Sequence, residues 1–286
     1  MNVLSLFDGM SCGQIALERA RIPVANYYAS EIKPHAIKVS THNYPKTIHL
    51  GDVTQLNIDD LPIIDLLIGG SPCQDLSRGN KLRTGLDGSK SSLFWWYIKI
   101  FKELKKKNKD LKFLFENVIM PKDDQSIIND EFNYYPVNIN SRLVSPQLRD
   151  RLYWTNIGDF SRDLFGQKIS MITQPKDKNI TLQSILVDGY TDRKKSRALL
   201  ESDSRRLTTP SKMWHRYKST GFTTIIFDHK SLDWNKGIRY LNQIELERCQ
   251  TVPDGYTSIL SRDKAACLIG DGWTIDVIAH IFEGLK

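Results

Sequence analysis

Short, apolar, β-rich runs alternate through the first 157 residues with stretches whose apolar positions recur at helical spacing. The runs that predict strands are residues 2–7, 26–30, 46–50, 64–70, 111–115, 134–140 and 151–157. Helices are predicted over 13–20 and 34–43, and a longer one begins near Ser91 or Ser92 and ends in three lysines. This alternation predicts an α/β fold with a doubly wound, mostly parallel sheet.

The alternation is lost after residue 157. Residues 158–238 form short polar and basic pieces, which predicts a second, irregular domain. Helical spacing returns over 241–250, 264–270 and 273–285. We therefore expect three parts: a first domain over 1–157, a second over 158–238, and a segment over 239–286 that returns to the first domain.

The charge of the chain is concentrated in the second of these parts. The net charge is +7, and residues 158–238, with 15 basic and 9 acidic side chains, carry +6 of it. A positive region of this kind favours a phosphate backbone as its partner.

Cysteine usage and hydropathy limit the class of protein. The four cysteines form no CxxC pair and have no histidine at zinc-ligand spacing, so we expect neither disulfides nor a metal, in a reducing cytoplasm. We find no signal-peptide pattern at the amino terminus and no run of about 18 apolar residues, so we expect no membrane span.

Cys73 is the first candidate for chemistry. It lies in GGSPCQDLS (69–77), directly after the apolar run that predicts the fourth strand. Ligands and reacting groups collect at the carboxyl ends of parallel strands, so Cys73 is a candidate nucleophile. The alternative is a small buried thiol, because free cysteine is among the most buried residue types.

Two carboxylates indicate an adenosine site. The segment LSLFDGMSCG (4–13) runs from a strand through a glycine turn into a helix, and Glu31 ends the next strand. A carboxylate there can accept both hydroxyls of a ribose, and Asp52, after the third strand, can accept an exocyclic amine. Each acid alone could be a cap or a turn residue.

Two further segments supply charged groups. Glu116 in FENV (115–118) lies between apolar residues after a strand, so we expect a carboxyl that can donate a proton, with a helix cap or an ion pair as the alternative. In QLRDR, Gln147, Arg149 and Arg151 alternate and share one face of an extended segment. The guanidiniums could bind a carbonyl oxygen and phosphates, or pair with acids.

Taken in order, these motifs resemble the DNA cytosine-5 methyltransferases. The resemblance covers nearly the whole chain except 158–238, where that family has its target-recognition domain. Some motifs are similar to the animal de novo branch, whereas PCQ and the compact length are similar to bacterial or phage enzymes. The motifs are FDGMSCG, Glu31, Asp52, GGSPCQDLS, FENV, QLRDR, RYLNQIELERCQTVPDGY (239–256) and GDGWTIDV (270–277).

The resemblance implies S-adenosylmethionine as cofactor and double-stranded DNA as partner, in a monomeric enzyme of a bacterial or phage-infected cytoplasm. It also implies that Cys73 attacks C6 of a flipped-out cytosine. Residues 75–90 are polar and contain three glycines, so we expect a mobile lid that closes over this base. The implied cofactor-binding residues are Phe7, Gly9, Met10, Ser11, Cys12, Glu31, Ile32, Asp52, Val53, Pro72 and Trp273. The implied catalytic residues are Cys73, Glu116, Arg149 and Arg151, and the implied substrate-binding residues are Gln74, Ser77 and Gln147.

Three other interpretations remain open. One branch on the same scaffold methylates tRNA, but we do not find its Cys-Phe-Thr signature here. A catalytically inactive DNA-binding relative would have no need to keep Cys73, Glu116 and Arg151 together. An unrelated nucleotide-binding oxidoreductase would require a glycine fingerprint that this chain lacks.

Overall fold

The structure is a computed structural model that describes residues 1–72, 92–220 and 223–286. The strands are β1 (Asn2–Leu6), β2 (Asn26–Ser30), β3 (Ile48–His49), β4 (Leu66–Gly69), β5 (Lys112–Val118), β6 (Tyr134–Tyr135), β7 (Val137–Asn140), β8 (Gln147–Leu148), β9 (Asp150–Thr155), β10 (Phe160–Arg162), β11 (Lys168–Ser170), β12 (Ser196–Arg197), β13 (Ile225–Phe227) and β14 (Ile238–Tyr240). The helices are α1 (Cys12–Arg19), α2 (Pro34–Asn43), α3 (Ser92–Lys107), α4 (Lys122–Phe132), α5 (Pro210–Thr220), α6 (Gln243–Cys249), α7 (Arg262–Asp271) and α8 (Ile275–Phe282).

The central sheet has the strand order β3-β2-β1-β4-β5-β9-β7. Strands β3, β2, β1, β4 and β5 are parallel, and β9 pairs antiparallel with β5. The strand order reverses between β1 and β4, which is the point where open α/β sheets bind ligands. The predicted doubly wound, mostly parallel α/β fold is confirmed.

Aromatic packing holds helix α3 against the central sheet. Phe94 and Tyr97 of α3 are fully buried, and the ring centroid of Tyr97 lies 4.8 Å from that of Phe115 on β5. The Tyr97 hydroxyl also donates to the carbonyl oxygens of Leu114, at 3.0 Å, and Leu67, at 3.4 Å. One side chain of α3 therefore contacts both β4 and β5.

The chain divides into two compact units. The first unit comprises residues 1–139, 150–174 and 279–286, and the second unit comprises 140–149 and 175–278. These bounds differ from the three predicted parts. Strand β11 pairs with β10 and with β6, which holds the hairpin after residue 157 in the first unit. Most of 239–286 belongs to the second unit.

The second unit has its own apolar cluster. The antiparallel pair β13–β14 packs Ile225, Phe227 and Ile238 against Met213 and Tyr217 of α5. Helix α5 lies inside the region predicted to be irregular, so the sequence analysis missed it.

Among the described residues, one helical segment, Arg262–Leu285, is long and apolar enough to cross a membrane, with a mean hydropathy of 1.3 over its most apolar window. Of that window, 67% is buried inside the protein. Burial of this kind also occurs in the core helices of soluble proteins, so length and hydropathy are weak evidence for a span.

Substituting Tyr97→Phe should lower the free energy of unfolding by about 0.5–1.5 kcal/mol, because a buried hydroxyl that donates to two strands is lost. Urea denaturation followed by circular dichroism measures the change. The matched control is Tyr44→Phe, whose hydroxyl donates to Glu18 at the surface and whose loss should cost less than about 0.5 kcal/mol. Equal losses in the two variants would contradict the structural role of Tyr97.

Candidate active site

The turn between β1 and α1 has an unusual backbone. Phe7, Gly9 and Ser11 all adopt left-handed conformations, with φ of 57°, 61° and 63°. Such conformations are costly for residues other than glycine, so surrounding contacts must hold them. A Cβ on Gly9 would meet no atom within 4 Å, which means that space is open beside this turn.

A buried carboxylate holds the turn. Asp8 accepts hydrogen bonds from the hydroxyls of Ser11, at 2.6 Å, and Tyr27, at 2.7 Å. The Ser11 hydroxyl also lies 2.6 Å from that of Ser40 on α2. Burial raises the pKa of Asp8. Asp8 stands within the FDGMSCG motif, but no local sequence pattern indicates its role or pairs it with Tyr27.

Glu31 joins the end of β2 to the same turn. Its Oε2 accepts the backbone N–H of Gly9 at 2.7 Å, and its Oε1 accepts those of Ile32 and Lys33 at 2.8 Å. The Ile32 side chain beside it is 67% exposed, so an apolar surface lies next to the carboxylate. This combination suits a ribose next to a planar base.

Asp52 lies at the next strand end. Its Oδ1 accepts the backbone N–H of Thr54 at 2.8 Å, and the side chain is exposed. The Ser30 hydroxyl donates to the carbonyl oxygen of Gly51 at 2.8 Å, which ties this loop to the end of β2. Asp52 therefore caps a turn and, because a carboxylate has about four acceptor positions, retains the capacity for a ligand.

Several predicted cofactor residues are buried in the first unit. The side chains of Met10, Ser11, Cys12 and Val53 are at most 5% exposed. The predicted contacts of these four residues would therefore have to come from the backbone. Phe7 and Pro72 are half-buried.

Glu116 and Arg151 form an ion pair at the carboxyl edge of the sheet. Arg151 Nε lies 2.9 Å from Glu116 Oε1, and the two side chains are 15% and 13% exposed. In the β5–β9 register Arg151 faces Val118, so the pair lies diagonally across the two strands. The ion pair that the sequence left as an alternative is thus present, and neither side chain is closed to solvent.

The carboxyl end of β4 lies beside β5, the strand that carries Glu116. Gly69 faces Phe115 in the β4–β5 register, and the buried Asn117 side chain donates to the Ser71 hydroxyl at 3.4 Å. Cys73, Gln74, Ser77 and the predicted lid at 75–90 lie outside the described residues. Their predicted roles therefore stay predictions.

Gln147 lies in the second unit, and its surroundings differ from those expected of a substrate ligand. It is fully buried and donates to the carbonyl oxygen of Cys249, at 2.7 Å, and to Gln250 Oε1, at 2.6 Å. Its own oxygen accepts the backbone N–H of Leu199 at 3.2 Å. Gln147 is therefore an interior residue, and its predicted role in substrate binding stays a prediction.

Arg149 is also an interior residue. Its side chain is buried and donates to the carbonyl oxygens of Leu199, Gly270 and Gly272, at 3.1, 3.2 and 2.9 Å. The guanidinium thus connects distant segments of the second unit, and its predicted catalytic role stays a prediction. Trp273, which follows one of these carbonyls, is half-buried in the same unit, and its cofactor contact stays a prediction.

The cysteines that the structure describes are poor candidates for a nucleophile. Cys12 and Cys249 are buried, and Cys267 is half-buried. Burial raises the pKa of the Cys249 thiol to about 12, so almost no thiolate forms there at neutral pH. The buried-thiol interpretation considered for Cys73 applies to Cys12 and Cys249.

Within 1–72, 92–220 and 223–286 there is no cluster of three or more His, Cys, Asp or Glu side chains that could hold a metal ion. The acids described above are instead engaged with backbone N–H groups, hydroxyls and a guanidinium.

The pattern that defines the C-5 cytosine-specific DNA methylases matches residues 1–227. The chain belongs to this family. The predicted resemblance to the DNA cytosine-5 methyltransferases is thereby confirmed. Family and fold together imply S-adenosylmethionine as the methyl donor.

Similar proteins include phage and bacterial enzymes. The orphan methyltransferase M.SPRI of Bacillus phage SPR is 32% identical over 166 residues, which are 54% of this chain and 37% of that protein. The type II methyltransferase M1.ScrFI of Lactococcus lactis subsp. cremoris is 27% identical over 98% of this chain and 77% of its own length. The chain thus spans only about a third of the SPR enzyme.

Among solved structures, the Dnmt2 methyltransferase of S. pombe has a TM-score of 0.69 at 17% identity, over 100% of this chain and 99% of that one. At this identity the likeness shows the fold alone.

Asp8→Asn should change how stability depends on pH. The folded state holds the Asp8 proton more tightly than the unfolded chain, because burial raises this pKa above 3.8. The resulting stabilisation is complete below about pH 3.8 and is lost as pH rises through the folded-state pKa. Between about pH 4 and 7, wild type should therefore lose stability relative to the variant in urea denaturation.

The control for this effect is Asp59→Asn. The hydrogen bond and charge of Lys107 lower the pKa of the exposed Asp59, so wild type should gain stability over this variant as pH rises towards 3.8. Parallel pH curves for wild type and Asp8→Asn would refute the account of Asp8.

Iodoacetamide at about pH 8 should leave Cys249 unmodified in the native protein, because the thiol is buried and protonated. In urea at about 8 M, which unfolds the protein, the same reagent should label Cys249. Peptide mapping by mass spectrometry distinguishes the cysteines. Labelling of Cys249 at similar rates in both conditions would show that the thiol is accessible.

Proposed function

We propose that this protein methylates C5 of cytosine in duplex DNA through a covalent bond between Cys73 and C6 of the base. The observation that carries the proposal is the Glu116–Arg151 pair. Glu116 lies near the carboxyl end of β5, which pairs with β4, and the chain continues from β4 through Pro72 to Cys73. Membership of the C-5 cytosine-specific family supports the same reaction.

The ends of β1, β2 and β3 fit S-adenosylmethionine. Glu31 and Asp52 supply carboxylate acceptors, Ile32 supplies an exposed apolar surface, and Gly9 leaves space beside the turn. We assign the ribose hydroxyls to Glu31 and the adenine edge to Asp52. When bound, S-adenosylmethionine supplies the methyl group as a sulfonium.

The reaction needs a nucleophile because aromaticity makes cytosine C5 unreactive. The Cys73 thiolate attacks C6 and forms a carbon–sulfur bond, and the displaced electron pair makes C5 nucleophilic. After C5 gains the methyl group, a water molecule accepts the C5 proton, and the electron pair of the broken C5–H bond expels the thiolate. A thiolate suits both steps, because it is a strong nucleophile and a good leaving group.

Glu116 and Arg151 stabilise the charge that this attack displaces into the ring. A carboxyl group at N3 draws the electron pair away from C6, and a guanidinium can hold the O2 atom with its planar donors. The ion pair positions the two groups relative to each other before the base arrives. This pairing of charged groups also argues against a catalytically inactive relative.

Duplex DNA is the favoured substrate. The relatives named above are an orphan methyltransferase of a phage and a type II methyltransferase by name, the family is that of DNA methylases, and residues 158–238 carry a net charge of +6. C6 is inaccessible in stacked DNA, so the target base has to leave the helix, at a cost of a few kcal/mol.

Transfer of tritiated methyl groups tests the reaction. Wild type should label duplex DNA and not tRNA, Cys73→Ala should abolish labelling, and Glu116→Gln should reduce kcat by about 10²–10⁴-fold. The control is Cys267→Ser, a half-buried cysteine that should leave the rate unchanged. Labelling of tRNA in preference to DNA would overturn the choice of substrate.

A duplex with 5-fluorocytosine tests the covalent step. Fluorine cannot leave C5 as a proton does, so the bond to Cys73 should persist and give a complex that survives denaturing electrophoresis. Cys73→Ala should give none. Methylation of ordinary DNA without a trapped complex on the fluorinated duplex would exclude the covalent route.

A further inference from the structure

The turn between β10 and β11 in the first unit carries an apolar tip, formed by Leu164 and Phe165. Leu164 is 100% exposed and Phe165 is 94% exposed, whereas no other large apolar side chain in residues 1–72, 92–220 and 223–286 is more than 67% exposed. The centre of a tight turn is usually polar, because its side chains point into solvent. An apolar tip at this position therefore indicates a surface that binds an apolar partner.

Hydrogen bonds hold this turn in one conformation. The backbone N–H of Gly166 donates to the carbonyl oxygen of Asp163 at 3.1 Å, and Gly166 adopts the left-handed conformation that closes such a turn, with φ of 83°. The Asp163 carboxylate accepts the backbone N–H of Phe165 at 2.9 Å and the Tyr135 hydroxyl at 3.0 Å. The apolar tip is thus presented on a fixed turn, which lowers the entropy cost of binding.

Basic side chains lie next to the turn on one face of the hairpin. Arg162 on β10 faces Lys168 on β11 in the antiparallel register. Lys168 Nζ lies 4.7 Å from the ring centroid of Tyr134 and 4.9 Å from that of Phe160. Burial lowers the pKa of Lys105 at the end of α3, and the charge of Lys168 lowers it further. Arg162, Lys168 and Lys105 therefore form a basic collar beside the apolar tip.

The segment that contributes Lys105 adds further positive charge. Residues 105–112 contain five lysines and one aspartate, a net charge of +4. Lys107 pairs with Asp59 at 2.7 Å, and the other lysines of the segment extend the collar. The acid closest to the tip in sequence, Asp163, has its oxygens engaged within the turn. The charge around the apolar tip is therefore positive, which favours an anionic partner.

The surface of an anionic membrane matches both parts of the hairpin. Exposed leucine and phenylalanine side chains can enter the boundary between headgroups and acyl chains, where they leave water. Arginine and lysine side chains at the same depth as the headgroups contact phosphates, and their long apolar stems can follow the inserted side chains.

Two other partners match only one part each. A second copy of the chain could cover the apolar tip, but the two basic collars would then face and repel each other. Duplex DNA would attract the basic collar, but its phosphate backbone offers no apolar surface to the tip. The combination of tip and collar therefore favours lipid.

We propose that the apolar tip and the basic collar bind this protein to the surface of an anionic membrane. Leu164 and Phe165 insert below the headgroups, and Arg162, Lys168 and Lys105 contact lipid phosphates. The hairpin lies at the surface and crosses no bilayer, which agrees with the expectation of no membrane span. Membrane binding of this kind is separate from methylation of cytosine, so each can fail without the other.

Flotation with lipid vesicles tests the proposal. Wild type should bind vesicles of equal parts phosphatidylglycerol and phosphatidylcholine, and should bind phosphatidylcholine vesicles weakly. Leu164→Ser/Phe165→Ser should lower the partition coefficient on the anionic vesicles at least about tenfold, because the inserted apolar area is lost. Arg162→Gln/Lys168→Gln should lower it roughly 25-fold, about fivefold for each charge, and only this second loss should disappear at high salt.

Two matched control variants change equivalent groups elsewhere in the first unit. Ile63→Ser/Ile127→Ser removes two exposed apolar side chains, and Lys38→Gln/Lys46→Gln removes two exposed charges. Both should bind the anionic vesicles like wild type. Circular dichroism and urea midpoints verify that all four double variants are folded.

Phe165→Trp tests insertion directly, because the indole keeps the apolar character of the tip. This variant should bind the anionic vesicles like wild type. Its additional fluorescence should shift to shorter wavelength on binding and should be quenched by lipids with brominated acyl chains. Bound protein whose additional fluorescence is not quenched would show that the tip stays outside the membrane, against the proposal.

The remaining outcomes separate membrane binding from the proposed function and from other partners. If wild type does not float with the anionic vesicles, or if the Leu164/Phe165 variant floats equally well, then membrane binding through the hairpin is wrong. If that variant instead loses affinity for duplex DNA, or loses a dimer seen by sedimentation, then the tip belongs to DNA or to a second copy and the proposal is overturned. Flotation of wild type without methylation of DNA would contradict the proposed function alone.

Discussion

The antiparallel pairing of β9 with β5 is the constraint on which the site depends. Parallel strands β1 to β5 bring their carboxyl ends to one edge, and the reversed β9 brings its amino end to the same edge. Glu116 near the end of one strand and Arg151 near the start of the other therefore meet at 2.9 Å. A parallel β9 would place the arginine at the opposite edge of the sheet, away from Glu116.

The turn between β1 and α1 imposes a second constraint. The left-handed residues of the first turn are held by two carboxylates of different kinds: Asp8 is buried among hydroxyls, whereas Glu31 accepts backbone N–H groups near the surface. Burial disfavours the charged form of Asp8, and the donated hydroxyl hydrogens partly offset that cost. The interior acid sets the backbone, which leaves the outer acid positioned for a ligand.

Local periodicity was sufficient for much of the first unit. It predicted β2 and α2 with their observed bounds and placed Glu31 and Asp52 at strand ends. It failed where pairing over long separations decides the structure. The hairpin β10–β11 joins the first unit through β6, and α5 was hidden because its apolar residues are interspersed with basic ones. The diagonal contact of Glu116 with Arg151 also depends on a register that sequence does not reveal.

The segment QLRDR shows the same limit within a few residues. The alternating pattern separates the side chains of Gln147, Arg149 and Arg151 from those of the residues between them. Arg149 and Arg151 nevertheless have different environments. Arg149 binds three carbonyl oxygens from segments 50 or more residues away, and only a guanidinium has enough donors in a fixed plane to do so. Arg151 binds a partly exposed carboxylate. The first arginine therefore connects segments of the second unit, and the second arginine keeps part of its side chain exposed.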